Sequence, residues 1–304
     1  MPAFKADYFE LALESIAKQS CKYFTLYIGD DASPHDLHLI VDKFRSEIDI
    51  IYIRFDENVG GYDLVKHWER CIDLTKEEDW IWLFSDDDIM ETNCVECFYN
   101  ELSLYQGISL FHFDIKVIDQ FGFQFEKAQK FPKIIEAEDF FYKRINNELH
   151  SYIVEYIFSR DLYYRKNKFK NFDLAWCSDD ATWIKFGQEN GIYTISNTFV
   201  CWRYSETNVS SLLNEKPIIL RKLDSALQYV KWVEAAFNFN KISKLRKVKW
   251  ILASINNCNS FSLGFRIRVY HKVYKEMNMN YNLKNILWML LSLLKGFVFK
   301  LLNI

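Results

Sequence analysis

The chain predicts an α/β domain with a mixed, mostly parallel sheet flanked by helices, followed by a helical, basic extension. Three observations carry that expectation. Through the first two hundred residues, apolar strand-like runs alternate with segments of helical period, as in strands joined by crossover helices. After that point strand-like runs give way to helix-period sequence. The charge changes at the same place: residues 1–200 hold 21 Lys+Arg and 36 Asp+Glu and residues 201–304 hold 17 and 5, so the net charge of −3 averages an acidic front and a basic rear.

The elements follow in order. Phe9, Ala12, Leu13, Ile16 and Ala17 recur at helical spacing, with Asp7 placed as an N-cap. Tyr23 to Ile28 reads as a strand that runs into Gly29-Asp30-Asp31. A helix over His35 to Phe44, a strand over Ile48 to Ile53 and a helix over Tyr62 to Leu74 come next. The strand Trp80 to Phe84 ends in Ser85-Asp86-Asp87-Asp88. Thr92 to Leu104 reads as a helix, Ile108 to Val117 as a strand, and Pro132 to Lys170 as a less regular segment. Beyond a boundary at Ser211, Glu215–Asn240, Ser243–Asn256 and Leu283–Leu302 read as helices, giving a domain over 1–211 and a basic helical region over 212–304.

Composition narrows the class. Half of the 304 residues are hydrophobic and 17% are aromatic, which excludes a disordered tail, a collagen-like fibre and a small disulfide scaffold. Seven scattered cysteines, an odd number, point to a reducing compartment, and the lone Cys94-x-x-Cys97 lacks the partners a tetrahedral zinc site needs. The N-terminus has no signal-peptide pattern. Lys284, Lys295 and Lys300 interrupt the apolar stretch from Leu283 to Ile304, which is therefore no membrane span.

In open α/β sheets ligands collect beyond the carboxyl ends of the strands, so Asp30-Asp31 and Asp86-Asp87-Asp88 weigh more than acids on helix faces. Adjacent carboxylates repel and invite a cation, and a divalent metal bridging a diphosphate suits oxygen ligands. A solvated turn that caps the next helix would use the same residues. Asn58-Val59-Gly60-Gly61 has the glycines for close backbone approach to a ligand and for positive φ.

The ordered series Pro2-Ala-Phe4-Lys5, Ala12-Leu-Glu-Ser-Ile-Ala-Lys-Gln19, Ile28-Gly-Asp-Asp-Ala-Ser33, Asn58-Val-Gly-Gly61 and Trp82-Leu-Phe-Ser-Asp-Asp-Asp-Ile89 resembles the family 2 glycosyltransferases, inverting enzymes of the Rossmann-like GT-A fold. The resemblance covers residues 2 to 210. It implies a hexosyltransferase-type enzyme with a UDP- or dTDP-sugar as partner, Mn²⁺ or Mg²⁺ as cofactor, and a glycan or lipid-linked acceptor in surface polysaccharide synthesis. By the same resemblance, Pro2, Phe4, Asp30, Asp31, Asn58, Gly60, Gly61 and Asp86 would line the sugar-nucleotide site, with Asp31 favoured over Asp30 for the base. Asp87 and Asp88 would hold the metal in a DxD-like motif in which Ser85 replaces a common aspartate.

Inverting transfer needs a carboxylate to deprotonate the acceptor. Cys177-Ser178-Asp179-Asp180 resembles the family's acidic segment at a helix start, and both Asp179 and Asp180 remain candidates for that base; helix capping would favour the same residues. In Trp202-Arg203-Tyr204-Ser205 a serine stands where a histidine is common, leaving Arg203 as a candidate for the diphosphate. Family members also carry an apolar strand ahead of the segment matching Pro2, where this chain has Met1 alone. The first sheet strand is thus expected to be missing or truncated, with a reading frame beginning upstream or an incomplete version as its cause. The basic rear, from Lys241 to Lys249 and through Arg266, Arg268, Lys272 and Lys275 to the amphipathic 283–304 segment, suits an anionic membrane surface or packing on a protein, with no nucleic-acid motif. A cytoplasmic protein, peripheral on the inner face of the membrane, follows from this. Two rival readings are a non-catalytic sugar-nucleotide-binding or interaction protein, and a nucleotidyltransferase, which would want a Gly-rich basic phosphate loop that the N-terminus lacks.

Overall fold

A computed structural model describes residues 1–127, 130–205, 211–212, 215–256, 258, 261–280, 282, 286–288 and 290–291. The chain divides into two compact units, residues 1–171 with 178–205, and residues 172–177 with those from 206 onward.

In the first unit, β1 (Pro2–Ala3), β2 (Leu26–Asp30) and β3 (Ile50–Arg54) form a parallel sheet in the order β1-β2-β3. The first strand is two residues long, paired Pro2 to Gly29 and Ala3 to Asp30. β2 is buried along its whole length, from the apolar Leu26-Tyr27-Ile28 to the charged Asp30 at its end. A second sheet is mixed. It comprises β4 (Trp80–Trp82), β5 (Ile89–Met90), β6 (Leu110–Ile118), β7 (Gln124–Lys127), β8 (Ile134–Ile135), β9 (Tyr156–Ser159) and β10 (Ile192–Arg203). Its order is β4-β9-β6-β10-β5, with β7 on β6 and β8 on β10. β10 runs parallel to β6, and its other pairings are antiparallel. Between Ile195 and Phe199 it bulges, with Asn197 in the left-handed region at φ 69°.

The helices of this unit are α1 (Phe9–Ala17), α2 (Leu37–Asp42), α3 (Leu64–Ile72), α4 (Cys94–Leu104), α5 (Ala137–Ile145), α6 (Arg160–Arg165) and α7 (Ser178–Phe186). All five residues that set the period of α1 are buried. Asp7 does not cap it: Tyr8 occupies the N-cap position and no side chain accepts a capping bond. Asp63 caps α3 instead, accepting from Lys66 N at 3.0 Å.

The segment from 132 to 170, irregular by sequence pattern, holds β8, α5, β9 and α6. β9 lies between β4 and β6 and is almost wholly buried, so Tyr-Ile-Phe carries no alternation to read. An aromatic cluster forms here. Tyr156 stacks on Trp183 with centroids 4.2 Å apart, and Phe158 and Phe186 pack around them.

The second unit contains α8 (Lys216–Ala236), α9 (Lys244–Ile251), α10 (Ala253–Asn256) and α11 (Leu263–Glu276). Leu252 separates α9 from α10, where sequence period suggested one helix. In α11 the residues Arg266, Val269, Tyr270, Val273 and Tyr274 are buried at helical spacing; the charge at Arg266 hides that stripe in the sequence. Arg266 donates from Nη2 to Cys258 O at 2.5 Å, which satisfies its buried guanidinium. The expected helix over 283–302 falls mainly outside the described residues. No helix among the described residues is long and apolar enough to cross a membrane.

Candidate active site

The two acidic strand ends are built differently. Asp30 closes β2 and is fully buried. Its Oδ1 accepts from Ser33 N at 2.7 Å, and its Oδ2 accepts from Arg54 Nη1 at 2.8 Å and from the Tyr52 hydroxyl. Asp31, equally buried, accepts from Val59 N at 2.9 Å and from Gly60 N at 2.8 Å, and is ion-paired with Arg70. Burial pushes its carboxyl up, against the pull of those backbone N–H groups and of Arg70. His67 lies 3.5 Å from the same oxygen; burial, and then the Arg70 charge, press its pKa down to about 3, so it is a neutral spacer.

Asp31 thus fixes the Asn58–Gly61 loop. A Cβ on Gly60 would come within 2.5 Å of Asp31 Oδ2, so glycine is needed there for close approach. Asn58 Oδ1 accepts from Gly61 N at 2.6 Å and tightens the turn. Neither glycine has the positive φ expected of it. Gly60→Ala should cost about 1–3 kcal/mol by overpacking, measured as a lower urea midpoint at constant slope.

At the second strand end the three aspartates have three tasks. Half-buried Asp86 accepts from Phe4 N at 2.8 Å and Lys5 N at 2.9 Å, tying the residues after β1 to this loop. Burial, with the neighbouring Asp87 charge, pushes its carboxyl up to about 6. Asp88 is buried and accepts from Arg203 N at 2.7 Å. Arg203 in turn donates from Nε to Asp87 O at 2.8 Å and from Nη1 to Asp119 O at 3.0 Å, with its guanidinium 4.4 Å from the Tyr8 ring centroid. The side chain proposed from sequence for a diphosphate is therefore 1% exposed and built into the loop's backbone. Asp87 remains, with Lys5 Nζ at 3.6 Å from its Oδ2. Pro2 pairs with Gly29, and the Phe4 ring is exposed beside Asp86.

Among the described residues no three Asp, Glu, His or Cys side chains converge into an all-protein metal cage. A single carboxylate such as Asp87 still fits Mg²⁺ or Mn²⁺ shared with a diphosphate, because these ions keep waters and phosphate oxygens in their shell.

The Asp179–Asp180 pair opens α7, and the two side chains diverge. Asp180 is 1% exposed, and Arg144 from α5 donates to it from Nε at 2.9 Å to both oxygens, with Nη2 also at 2.9 Å. Arg144 is itself braced by Leu149 O at 2.7 Å. Asp179 is half-buried, and its Oδ1 accepts from Asp180 N at 2.9 Å. Burial and the adjacent Asp180 charge push its carboxyl up to about 7. One aspartate is locked in an ion pair; the other keeps the titration a general base needs.

Sequence reasoning missed the residues that divide these roles: Lys5 at Asp87, Arg54 and Arg70 at the first acidic pair, and Arg144 at Asp180. It also missed half-buried Tyr152 stacked on Trp202, with centroids 4.1 Å apart, while Tyr152 N donates to Glu155 Oε1 at 3.2 Å. Arg54, Arg70 and Arg144 stand in no motif, so no sequence signal was there to find them, whereas Lys5 closes the Pro2-Ala-Phe4-Lys5 segment and could have been singled out.

Residues 1–183 match the family profile described as Glycosyl transferase family 2. No curated protein matches the chain. Among solved structures, TarS 1–349 of S. aureus in complex with UDP-GlcNAc aligns with a TM-score of 0.60 at 16% identity, over 86% of this chain and 72% of that one. The same protein in complex with UDP gives 0.55 at 13%, over 91% and 86%. GalNAc-T7 with UDP, GalNAc and Mn²⁺ gives 0.55 at 10%, over 92% of this chain and 53% of that one. At such identities the likeness speaks for the fold, and it agrees with the parallel first sheet and the mixed second sheet. The profile spans more than half of the chain on this same architecture, so the chain belongs to glycosyl transferase family 2 and is a glycosyltransferase of the GT-A fold.

Proposed function

We propose that this enzyme transfers a sugar from a UDP- or dTDP-sugar to a hydroxyl of a glycan or lipid-linked acceptor with inversion, and that Asp179 is the base. The observation that carries the reading is the division between Asp179 and Asp180: only Asp179 combines partial exposure with a pKa raised to about 7. As the acceptor oxygen forms its bond to the anomeric carbon, its proton passes to Asp179 and the bond to the diphosphate oxygen breaks on the opposite face. A divalent ion held by Asp87, when bound, stabilises the departing diphosphate as a Lewis acid. Asp31 acts by fixing the loop of Asn58, Gly60 and Gly61 as the pocket wall, and Asp30 by holding the turn at Ser33. Asp86 and Phe4 form the edge nearest Asp87, and Asp88 with Arg203 holds that edge in place. TarS in complex with UDP-GlcNAc, and GalNAc-T7 with UDP, GalNAc and Mn²⁺, support the donor class.

Thermal-shift screening tests this. UDP-sugars should raise the melting temperature with Mn²⁺, and Asp87→Ala should remove the Mn²⁺-dependent part; a panel of UDP- and dTDP-sugars that stabilises nothing would refute the donor reading and favour a non-catalytic binding protein.

The region after residue 211 we read as a surface for anionic membrane at the cytoplasmic face. Exposed Lys244, Arg268, Lys272 and Lys275 lie in the same unit as exposed Leu263 and Ile267, the mixture an interfacial surface uses. Full-length protein should sediment with vesicles containing phosphatidylserine and be released by salt; indifference to lipid charge would remove this part of the reading.

A further inference from the structure

We propose that Lys5 is a resident counter-ion of the acidic loop, which a divalent ion must displace from Asp87 and which then contacts the donor's diphosphate. The inference rests on the reading of Asp87 as the metal carboxylate. Its own basis is how the three aspartates are occupied. Asp86 is held by two backbone N–H groups and Asp88 by the Arg203 N–H, contacts that the fold cannot release without opening the loop. Asp87 is met instead by an ammonium on a flexible four-carbon stem, 3.6 Å away.

The backbone of Lys5 cannot follow that ammonium if it leaves. Lys5 N is bonded to Asp86 Oδ2 at 2.9 Å, which fixes its Cα beside the loop, while the side chain is 30% exposed and has room to swing. A dication on Asp87 would sit within a few ångströms of Nζ, where like charges repel by an amount worth at least a factor of ten in affinity. The ammonium would turn away from the carboxylate, and the anions within reach of so short a tether are the Asp86 carboxylate, already engaged by two backbone N–H groups, and the diphosphate that would share the metal. Without metal, the same lysine keeps the loop from carrying an uncompensated charge at Asp87.

The test uses full-length wild type, Lys5→Gln and Asp87→Asn, with Mn²⁺ affinity read by EPR without nucleotide and UDP affinity by calorimetry with Mn²⁺ present. Lys5→Gln retains the backbone bond to Asp86, so the loop stays formed. It should bind Mn²⁺ roughly tenfold more tightly than wild type, yet bind UDP in the presence of Mn²⁺ roughly tenfold more weakly. Asp87→Asn should lose Mn²⁺ binding. If Lys5→Gln leaves Mn²⁺ affinity unchanged or weaker while Asp87→Asn abolishes it, the lysine's role is overturned and the metal reading stands. If Asp87→Asn binds Mn²⁺ as wild type does, the metal reading itself fails and this proposal falls with it.

Discussion

Asp179→Asn should lower the rate of sugar transfer by about 10²–10⁴ while donor binding is retained, since the amide keeps the shape of the side chain and cannot accept the acceptor's proton. In the wild-type enzyme kcat/KM should fall as the pH drops below about 7, because the active form is the carboxylate and its pKa is raised to about 7. The same displacement affects folding with a definite sign. The folded chain holds the Asp179 proton up to about 7, whereas the unfolded chain releases it in the ordinary carboxylate range. This group therefore favours the fold at acid pH, and that contribution is lost as the pH rises toward 7. Asp179→Asn should flatten this part of a pH–stability profile. Full transfer activity in Asp179→Asn would dismiss it as the base.

Arg144→Ala should be the most destabilising single change near the site, by about 3–5 kcal/mol, because it leaves the buried Asp180 carboxylate without its bidentate partner. Urea unfolding at neutral pH measures it. Replacing both partners by apolar residues of similar volume, Arg144→Met with Asp180→Leu, should recover most of the loss. The contrast with Asp179→Asn should separate the two aspartates: the first substitution is expected to act on the rate, the loss of the Asp180 partner on the fold. An Arg144→Ala protein as stable as wild type would show that the pair is not what holds the start of α7.

The sequence pattern was legible where periodicity and strand-end chemistry were strong. Buried β2 followed by Asp30-Asp31, the stripe of α1, and the run from Trp80 into Asp86-Asp87-Asp88 are each local signals. What stayed hidden is set by partners far along the chain. Arg144 stands 36 residues from Asp180, Arg70 stands 39 from Asp31, and Lys5 reaches a loop more than eighty residues away. These pairings decide which carboxylate is structural and which is available, and no spacing rule encodes them. β9 escaped for another reason: four residues, almost wholly buried between neighbours, look like any short apolar stretch.

The bond from Arg203 N to Asp88 spans 115 residues and makes β10 the keystone of the Asp86–Asp88 loop. A nascent chain that has emerged only through β9 already holds every aspartate of the two acidic strand ends. It lacks the peptide group that seats Asp88 and the guanidinium that grips Asp87 O. The seating of Asp88 is therefore acquired late in synthesis, when β10 docks beside β6, and such long-range closure leaves the half-made sheet exposed in the meantime. A chain stalled before β10 would carry the acidic residues without the contacts that place them, so a seated Asp88 becomes a report that the sheet is complete.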